Sequence, residues 1–211
     1  KKEETIKCWC VGVSSGEEAY SLAIIINETL TKFNKKNVVK IFATDIEKHH
    51  LNDAAKGIYN ESAIANISEE RLRLNFTKNG DYYHVNENIR RMVIFSKHNV
   101  LKDPPFNKMD ISMCRNMLIY LQPAAQNRAL DVLHYSLNMN GTLVLGSSES
   151  LGQQKNAFKE LYRKQKIYSN IRPAKILGLQ QYNSGKNQKN PYGLRNPSHE
   201  RNARQHIVEA L

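Results

Sequence analysis

Short apolar segments alternate with longer amphipathic segments along most of the chain. The apolar run Ile6–Cys10 leads into a turn, and the apolar residues of the next segment, from about Glu17 to Phe33, recur at helical spacing. Val38–Thr44 is rich in β-branched and aromatic residues, which favours a strand, and a short helix is expected from Glu47 to about Ala55. This order predicts the start of a parallel sheet with helices packed on its faces.

The pattern changes between Gly57 and Glu87, where the chain becomes polar and rich in turn-forming residues. Asn79-Gly80 precedes the β-forming run Tyr82–Val85, and Asn-Gly between β-forming residues is a strong hairpin signal. The sequence therefore predicts an antiparallel hairpin between two segments of strand–helix alternation.

Strand and helix alternate again after this region. Strands are expected at Met92–Ser96, Met109–Cys114 and Gly141–Leu145, with a helix from Pro123 to Leu137. The whole pattern predicts an α/β fold with a doubly wound, parallel sheet, in which ligands bind at the carboxyl ends of the strands.

The turn after the first strand is a candidate ligand site. Gly12 and Gly16 permit a tight turn and a close approach by a ligand, and the next helix would direct its N-terminal amides at that ligand. Glu17 and Glu18 argue against a pyrophosphate, because carboxylates repel phosphate but attract a cation or accept hydrogen bonds from an amine. A cofactor with a sulfonium and an amine therefore fits better than NAD.

An acidic residue at the end of the second predicted strand is a candidate for ribose recognition. Asp45 stands there, about 30 residues after the glycine turn. The alternative is that Asp45 only caps the helix expected near Glu47, since Asp is a favoured cap. The joint occurrence of strand, acid and glycine turn favours the ribose role.

Five separate motifs, in order from about Ile6 to Tyr168, resemble the CheR family of chemotaxis methyltransferases. They are Cys10–Ser21, Ala43–Ile46, His98–Leu101, Cys114–Tyr120 and Leu145–Leu151. The resemblance implies a class I methyltransferase with a Rossmann-like sheet, S-adenosylmethionine as cofactor, and transfer of its methyl group to glutamate side chains of chemoreceptors. It also implies a small antiparallel β-subdomain inserted at about residues 57–91, which in some members binds a receptor tail peptide.

The resemblance further implies a role for particular residues. The expected cofactor-binding residues are Gly12, Ser14 and Glu17 at the methionine part, Asp45 at the ribose, Asn99 and Val100 at the adenine, and Arg115 and Asn116 at the inner end of the pocket. Arg115, Asn116 and Tyr120 are the expected catalytic residues, with Tyr120 approaching the methyl group or the incoming glutamate. The alternatives are a turn residue for Asn99 and a core aromatic residue for Tyr120. Ser147, Ser148 and Glu149 also match a family motif, and the alternative role of Glu149 is to cap a turn.

The expected reaction sets a simple requirement. A glutamate carboxylate is already ionised near neutral pH, so methyl transfer to it needs no general base. The enzyme must instead align the carboxylate with the methyl group and exclude water. Polar positioning groups are therefore the side chains that matter.

A DNA methyltransferase is the less favoured alternative. Asp103–Phe106 resembles the Asp-Pro-Pro-aromatic box of DNA amino-methyltransferases, but it precedes the strand Met109–Cys114 instead of following it, so we expect a rigid connecting turn. The net charge of +11 would suit DNA, but much of it falls after Ser169, and no nucleic-acid partner is expected. A third possibility is a sensor or docking module that binds the cofactor without turnover.

The cysteines do not indicate a metal site. Cys8 and Cys10 alternate on a predicted strand, Cys114 lies in another, and no Cys/His cluster with metal-ligand spacing accompanies them. We expect buried, reduced thiols and no metal.

The expected organisation is a methyltransferase domain at 1–168, a linker at 169–197 and the start of a helix at 198–211 that leads to a further domain. By resemblance, an N-terminal helical domain would precede Lys1, and PAS and CheB-like domains could be fused to this unit. Since no apolar segment approaches the roughly 20 residues needed to span a bilayer and no signal segment is recognisable, a cytoplasmic location is expected.

Overall fold

A computed structural model describes residues 5–174, which form a seven-stranded sheet, a small three-stranded sheet and the helices around them. The strands are β1 Ile6–Val11, β2 Val39–Asp45, β3 Ile58–Asn60, β4 Phe76–Asn79, β5 Tyr82–Val85, β6 Val93–Lys97, β7 Met109–Cys114, β8 Leu137–Leu145, β9 Phe158–Tyr162 and β10 Ile167–Asn170. The α-helices are α1 Glu17–Lys32, α2 Lys48–Lys56, α3 Glu61–Ile64, α4 Glu69–Asn75, α5 Glu87–Arg90 and α6 Pro123–Ser136, and 3₁₀ turns cover Leu118–Tyr120 and Gly152–Ala157.

The large sheet has the strand order β6-β2-β1-β7-β8-β10-β9. Its first five strands are parallel, and β10 pairs antiparallel with both β8 and β9. The chain reverses direction across the sheet between β1 and β7, so the parallel, doubly wound α/β fold expected from the sequence is confirmed. A ligand crevice is expected beyond the carboxyl ends of the strands at such a switch point.

The register brings the five motifs to one edge of this sheet. Val11 pairs with Thr44 and with Cys114, Asp45 pairs with Lys97, and Cys114 pairs with Leu145. The segments that follow these strand ends are the glycine turn and the other four motifs. They are therefore neighbours in space although they span more than 130 residues of the sequence.

Strand alternation divides the core between the two faces of the sheet. Cys8 and Cys10 lie in the cluster beneath α1, as the predicted shared face requires, whereas Trp9 lies in the cluster beneath α6. Trp9 is fully buried, and its Nε1–H donates to Thr44 Oγ1 at 2.9 Å. Cys8, Cys10 and Cys114 are buried free thiols, and within residues 5–174 no group of three potential ligands could hold a metal ion.

The predicted hairpin is confirmed as β4 and β5, with Gly80 at φ +60° in the connection. β3 adds to β5, which gives an antiparallel sheet of three strands. These strands lie within the expected insertion, whose boundaries at 57 and 91 stay predictions.

One predicted strand has a different start. The strand expected at Gly141–Leu145 begins at Leu137, directly after α6 ends at Ser136, so the helix expected to reach Leu137 ends one residue earlier. Leu137 is buried and pairs with Met109, and the register shifts before Ile111. Residues 138–141 therefore lie in an irregular stretch of the strand, between Leu137 and Thr142, which both pair with β7.

The last strand continues through Asn170, beyond the expected domain end at 168. The remainder of the expected linker and the helix expected at 198–211 lie outside the described residues. Among residues 5–174, none of the helices combines the length and the apolar character needed to cross a bilayer.

Candidate active site

The turn after β1 is formed by backbone contacts to two neighbouring strand ends. Gly12, at φ +73°, donates its N–H to Thr44 O at 2.7 Å. A Cβ on Gly12 would lie 2.9 Å from Met117 Cγ in the loop after β7. Glycine is therefore required both by the backbone conformation and by the close approach of the two loops.

Asp45 links the glycine turn to the end of β2. Its Oδ2 accepts from the Ser14 N–H at 2.9 Å, and its Oδ1 accepts from the Glu47 N–H at 3.0 Å. The second bond forms a turn of the kind that Asp favours, but the residue that caps α2 is Glu47. Since an ionised carboxylate offers about four acceptor positions, Asp45 retains capacity for a ribose hydroxyl.

The two glutamates of the turn have different surroundings. Glu17 is exposed and accepts from Ser15 Oγ at 2.8 Å. Glu18 is partly buried and forms a salt bridge with Arg115, with 3.1 Å between Oε1 and Nη1. Burial raises the pKa of Glu18, the Arg115 guanidinium opposes this shift, and the Glu149 carboxylate adds to it. Glu18 was not among the site residues expected from the sequence, although its position beside Glu17 in the turn could have identified it as one.

The expected adenine-binding residues follow β6. The His98 N–H donates to Asp45 O at 3.0 Å, which joins this segment to the end of β2. Asn99 accepts from the Leu101 N–H through Oδ1 at 2.9 Å, as in the turn role considered above. Val100 is buried in the same cluster as Trp9.

The Asp103–Phe106 box forms the connection expected of it. Phe106 stacks on Phe42, with ring centroids 4.9 Å apart, and packs against Trp9. The His98 ring also hydrogen-bonds Pro104 O at 3.0 Å. The box is thus anchored to the core between β6 and β7.

The loop after β7 carries the three expected catalytic residues. Arg115 pairs with Glu18, Asn116 adopts φ +57°, and Tyr120 ends the 3₁₀ turn and is 82% exposed. The alternative of a core aromatic residue for Tyr120 is therefore wrong. Its ring projects to solvent because the turn places Leu118, not Tyr120, in the core.

The Leu145–Leu151 motif contributes a buried carboxylate to this edge. Glu149 is only 4% exposed and accepts hydrogen bonds from the backbone N–H groups of Met117, Leu118 and Gly146. The bond to Gly146 is the turn-capping role that the sequence left open. The bonds to Met117 and Leu118 were not foreseen, because their residues lie about 30 positions earlier.

The groups at this edge fit S-adenosylmethionine. The carboxylates of Glu17 and Glu18 suit a positively charged ammonium, and Asp45 suits ribose hydroxyls. Val100 is an apolar residue of the segment after β6, of the kind that an adenine ring would need. These contacts need no phosphate-binding group, which agrees with the acidic character of the turn.

The comparisons with known proteins identify the family. Residues 1–167 match the family described as CheR methyltransferase, SAM binding domain, and the chain belongs to this family. It is therefore a CheR-type methyltransferase domain of class I, and S-adenosylmethionine is its cofactor.

Individual relatives agree with this assignment. The chain is 39% identical over 169 residues to an uncharacterised 104.1 kDa protein of Rhodobacter capsulatus, covering 80% of this chain and 18% of that protein. It is 39% identical over 150 residues to chemotaxis protein methyltransferase 1 of Vibrio cholerae, covering 69% of this chain and 54% of that protein. The chain thus spans about half the length of the curated chemotaxis methyltransferase. Among solved structures, PKMT2 from Rickettsia typhi in complex with AdoHcy is 17% identical, with a TM-score of 0.39 over 66% of this chain and 20% of that one.

Proposed function

We propose that the protein containing this chain transfers a methyl group from S-adenosylmethionine to glutamate carboxylates of chemoreceptor cytoplasmic domains, forming methyl esters. The observation that carries the proposal is the junction of two loops. Gly12 in the cofactor turn lies against Met117, inside the segment that contains Arg115, Asn116 and Tyr120. The name of the V. cholerae relative, a chemotaxis methyltransferase, supports the substrate class.

The cofactor would be held by the residues expected from the family resemblance. Gly12, Ser14 and Glu17 would surround its methionine part, Asp45 its ribose, and Asn99 and Val100 its adenine, while Arg115 and Asn116 would line the inner end. When bound, the cofactor supplies a methyl group activated by the positive sulfur.

The chain itself would orient the incoming carboxylate. Arg115 uses Nη1 for the salt bridge with Glu18, and a guanidinium has five N–H donors, so it can also donate to a substrate oxygen. Tyr120, in the 3₁₀ turn that follows Arg115 and Asn116, offers an exposed hydroxyl. Because the glutamate is already ionised, these groups need only align it and displace water.

The expected partners are chemoreceptor cytoplasmic domains, and the expected location is cytoplasmic. Fusion to PAS and CheB-like domains is part of the same proposal. It is supported by the 18% share that the chain covers of its R. capsulatus relative, which indicates that such a unit occurs inside a much longer protein.

The test uses the full-length protein, methyl-labelled S-adenosylmethionine and receptor cytoplasmic domains from the same host. Label that alkali releases as methanol, and that is lost when the receptor glutamates are changed to Gln, is the expected result. Label that resists alkali would overturn the ester and indicate an amine target. Cofactor binding by calorimetry without any label would instead identify a sensor without turnover.

A further inference from the structure

The carboxylate of Glu149 joins the loops that follow two adjacent central strands. Its Oε1 accepts from the Met117 N–H at 3.0 Å and from the Leu118 N–H at 2.7 Å, both after β7. Its Oε2 accepts from the Gly146 N–H at 2.7 Å, after β8. Three backbone amides from two loops therefore converge on one carboxylate that is 4% exposed.

A buried carboxylate is costly unless its charge is compensated. In the part of the chain that the structure describes, no lysine, arginine or histidine forms a salt bridge with Glu149. Backbone amides take that role, and both carboxylate oxygens act as acceptors, as in an ionised carboxylate. Neither a hydrocarbon nor an amide side chain could satisfy all three donors.

The same amides lie next to the expected catalytic residues. Met117 follows Asn116, and Met117 O accepts from the Tyr120 N–H at 3.2 Å. A Cβ on Gly146 would lie 3.0 Å from the Asn116 nitrogen and 2.8 Å from Glu149 Oε2. The loops are thus packed at backbone distance, with Glu149 fixing both.

We propose that Glu149 is a positioning residue. It holds the segment 115–120 in the orientation in which Arg115, Asn116 and Tyr120 meet the substrate, without touching the reacting atoms itself. The inference rests on the proposed function, which gives these three residues their roles.

The test is Glu149→Gln in the full-length protein. Glutamine keeps the size of the side chain, but its NH₂ group cannot accept a hydrogen bond, so one of the two loops loses its acceptor. The matched control is Asp110→Asn, which makes the same change at a carboxylate that is also 4% exposed. Asp110 accepts from the Lys7 N–H and from Asn138 Nδ2, and lies four residues before Cys114, about 13 Å away along β7.

The two variants are expected to differ in catalysis. For Glu149→Gln we expect kcat for ester formation to fall about 10- to 100-fold, because small misplacements of positioning groups have effects of this size. KM for S-adenosylmethionine should rise by a smaller factor than kcat falls, since Gly12, Asp45 and Val100 lie outside the segment that Glu149 holds. Asp110→Asn should lower Tm at least as much, with kcat retained. Amide hydrogen exchange should become faster in Glu149→Gln only, either at Met117 and Leu118 or at Gly146, according to which loop loses its acceptor.

Two results would overturn the inference: a loss of kcat in Glu149→Gln no larger than in Asp110→Asn, or unchanged exchange at the three amides. Failure of the proposed function gives a different result, the absence of alkali-labile label with the unmodified protein. In that case exchange at the three amides still decides whether Glu149 holds the loop.

Discussion

Tyr120 is 82% exposed, although the neighbouring Leu118 is buried in the core. A tyrosine in this position contributes little apolar contact to stability, and its hydroxyl is free to meet a molecule that arrives from solvent. The polar groups at this edge are therefore of two kinds. Exposed groups can contact substrate, and buried groups fix the loops.

Tyr120→Phe is expected to lower kcat about tenfold or more while cofactor affinity and Tm change little, since one hydrogen bond to a charged group contributes about 1.5–3 kcal/mol. Turnover on receptor domains and calorimetry with S-adenosylhomocysteine measure the two effects. Tyr162→Phe, at a partly exposed tyrosine on β9, is the control and should change neither. Equal losses of turnover and cofactor affinity in Tyr120→Phe would contradict a role in substrate positioning.

Glu18 gives a prediction about pH. Burial raises its pKa above the ordinary value despite the nearby Arg115, so folding favours the protonated form. The stability that the protonated form of Glu18 contributes is fully present below its unfolded-state pKa. It is lost as the pH rises through its folded-state pKa. Glu18→Gln imitates the protonated form, so its stability relative to the unmodified protein should increase as the pH is raised from about 4 to 8.

Urea unfolding of the methyltransferase domain at intervals across this range measures the difference. Glu160→Gln, at an exposed residue of β9, is the control for replacing a carboxylate by an amide. A difference for Glu18→Gln that shrinks with rising pH would show that the salt bridge outweighs burial.

The residues found from the sequence and those missed differ in the range of their contacts. The position of Asp45 could be predicted because it depends on a local pattern, an acid that ends a strand, whereas its ribose role stays a prediction. Glu149 and Glu18 could not be assigned their partners, because Leu118 and Arg115 are brought to them only by the order of the strands. Physical neighbours across strands leave no local signal in a single sequence.

At the scale of elements, the turn after β1 is constrained both by its backbone conformation and by its packing. Gly12 and Gly80 both have positive φ, but a Cβ on Gly12 would meet Met117, whereas one on Gly80 would have no atom within 4 Å. Alanine substitutions at these two glycines therefore distinguish the cost of backbone strain from the cost of steric crowding.

Gly80→Ala is expected to cost about 1–2 kcal/mol of unfolding free energy, the strain of a left-handed alanine. Gly12→Ala should cost more, since Met117 must also move, and should weaken S-adenosylhomocysteine binding, which Gly80→Ala should leave unchanged. Unfolding curves and calorimetry test both. Equal costs with equal affinities would mean that the Gly12 turn is not tightly packed against the loop after β7.

Elements with strong periodicity were predicted closely, as in β7, whose bounds Met109–Cys114 were found as expected. The start of β8 was not, because Asn138 and Asn140 interrupt the apolar pattern and the register with β7 shifts between Leu137 and Thr142. Propensity is local, whereas an extended strand is stabilised by its partner.

At the scale of the whole molecule, one sheet carries both cores. The cluster beneath α1 and the cluster beneath α6 share β1, where alternate residues belong to each. The site lies across the ends of the same strands, so a ligand that joins these ends stabilises the domain as a unit.

S-adenosylhomocysteine at 100 times its Kd should add about 2.7 kcal/mol to the unfolding free energy. At about 2–4 °C per kcal/mol for a domain of this size, the expected rise in Tm is about 5–10 °C. For Asp45→Asn, if affinity falls tenfold, the same ligand concentration should give about half this rise. Asp53→Asn, at an exposed aspartate of α2, is the control and should retain the full rise.

The comparison tests whether Asp45 has a role beyond the turn it forms. In the absence of ligand, Asp45→Asn should already lower Tm, because one of its bonds to the Ser14 and Glu47 amides is weakened. A purely structural Asp45 would therefore show a lower starting Tm with an undiminished rise on adding ligand. Only a residue that also contacts the cofactor reduces the rise itself, because linkage depends on the difference in ligand affinity between folded and unfolded states and not on the stability of the free protein.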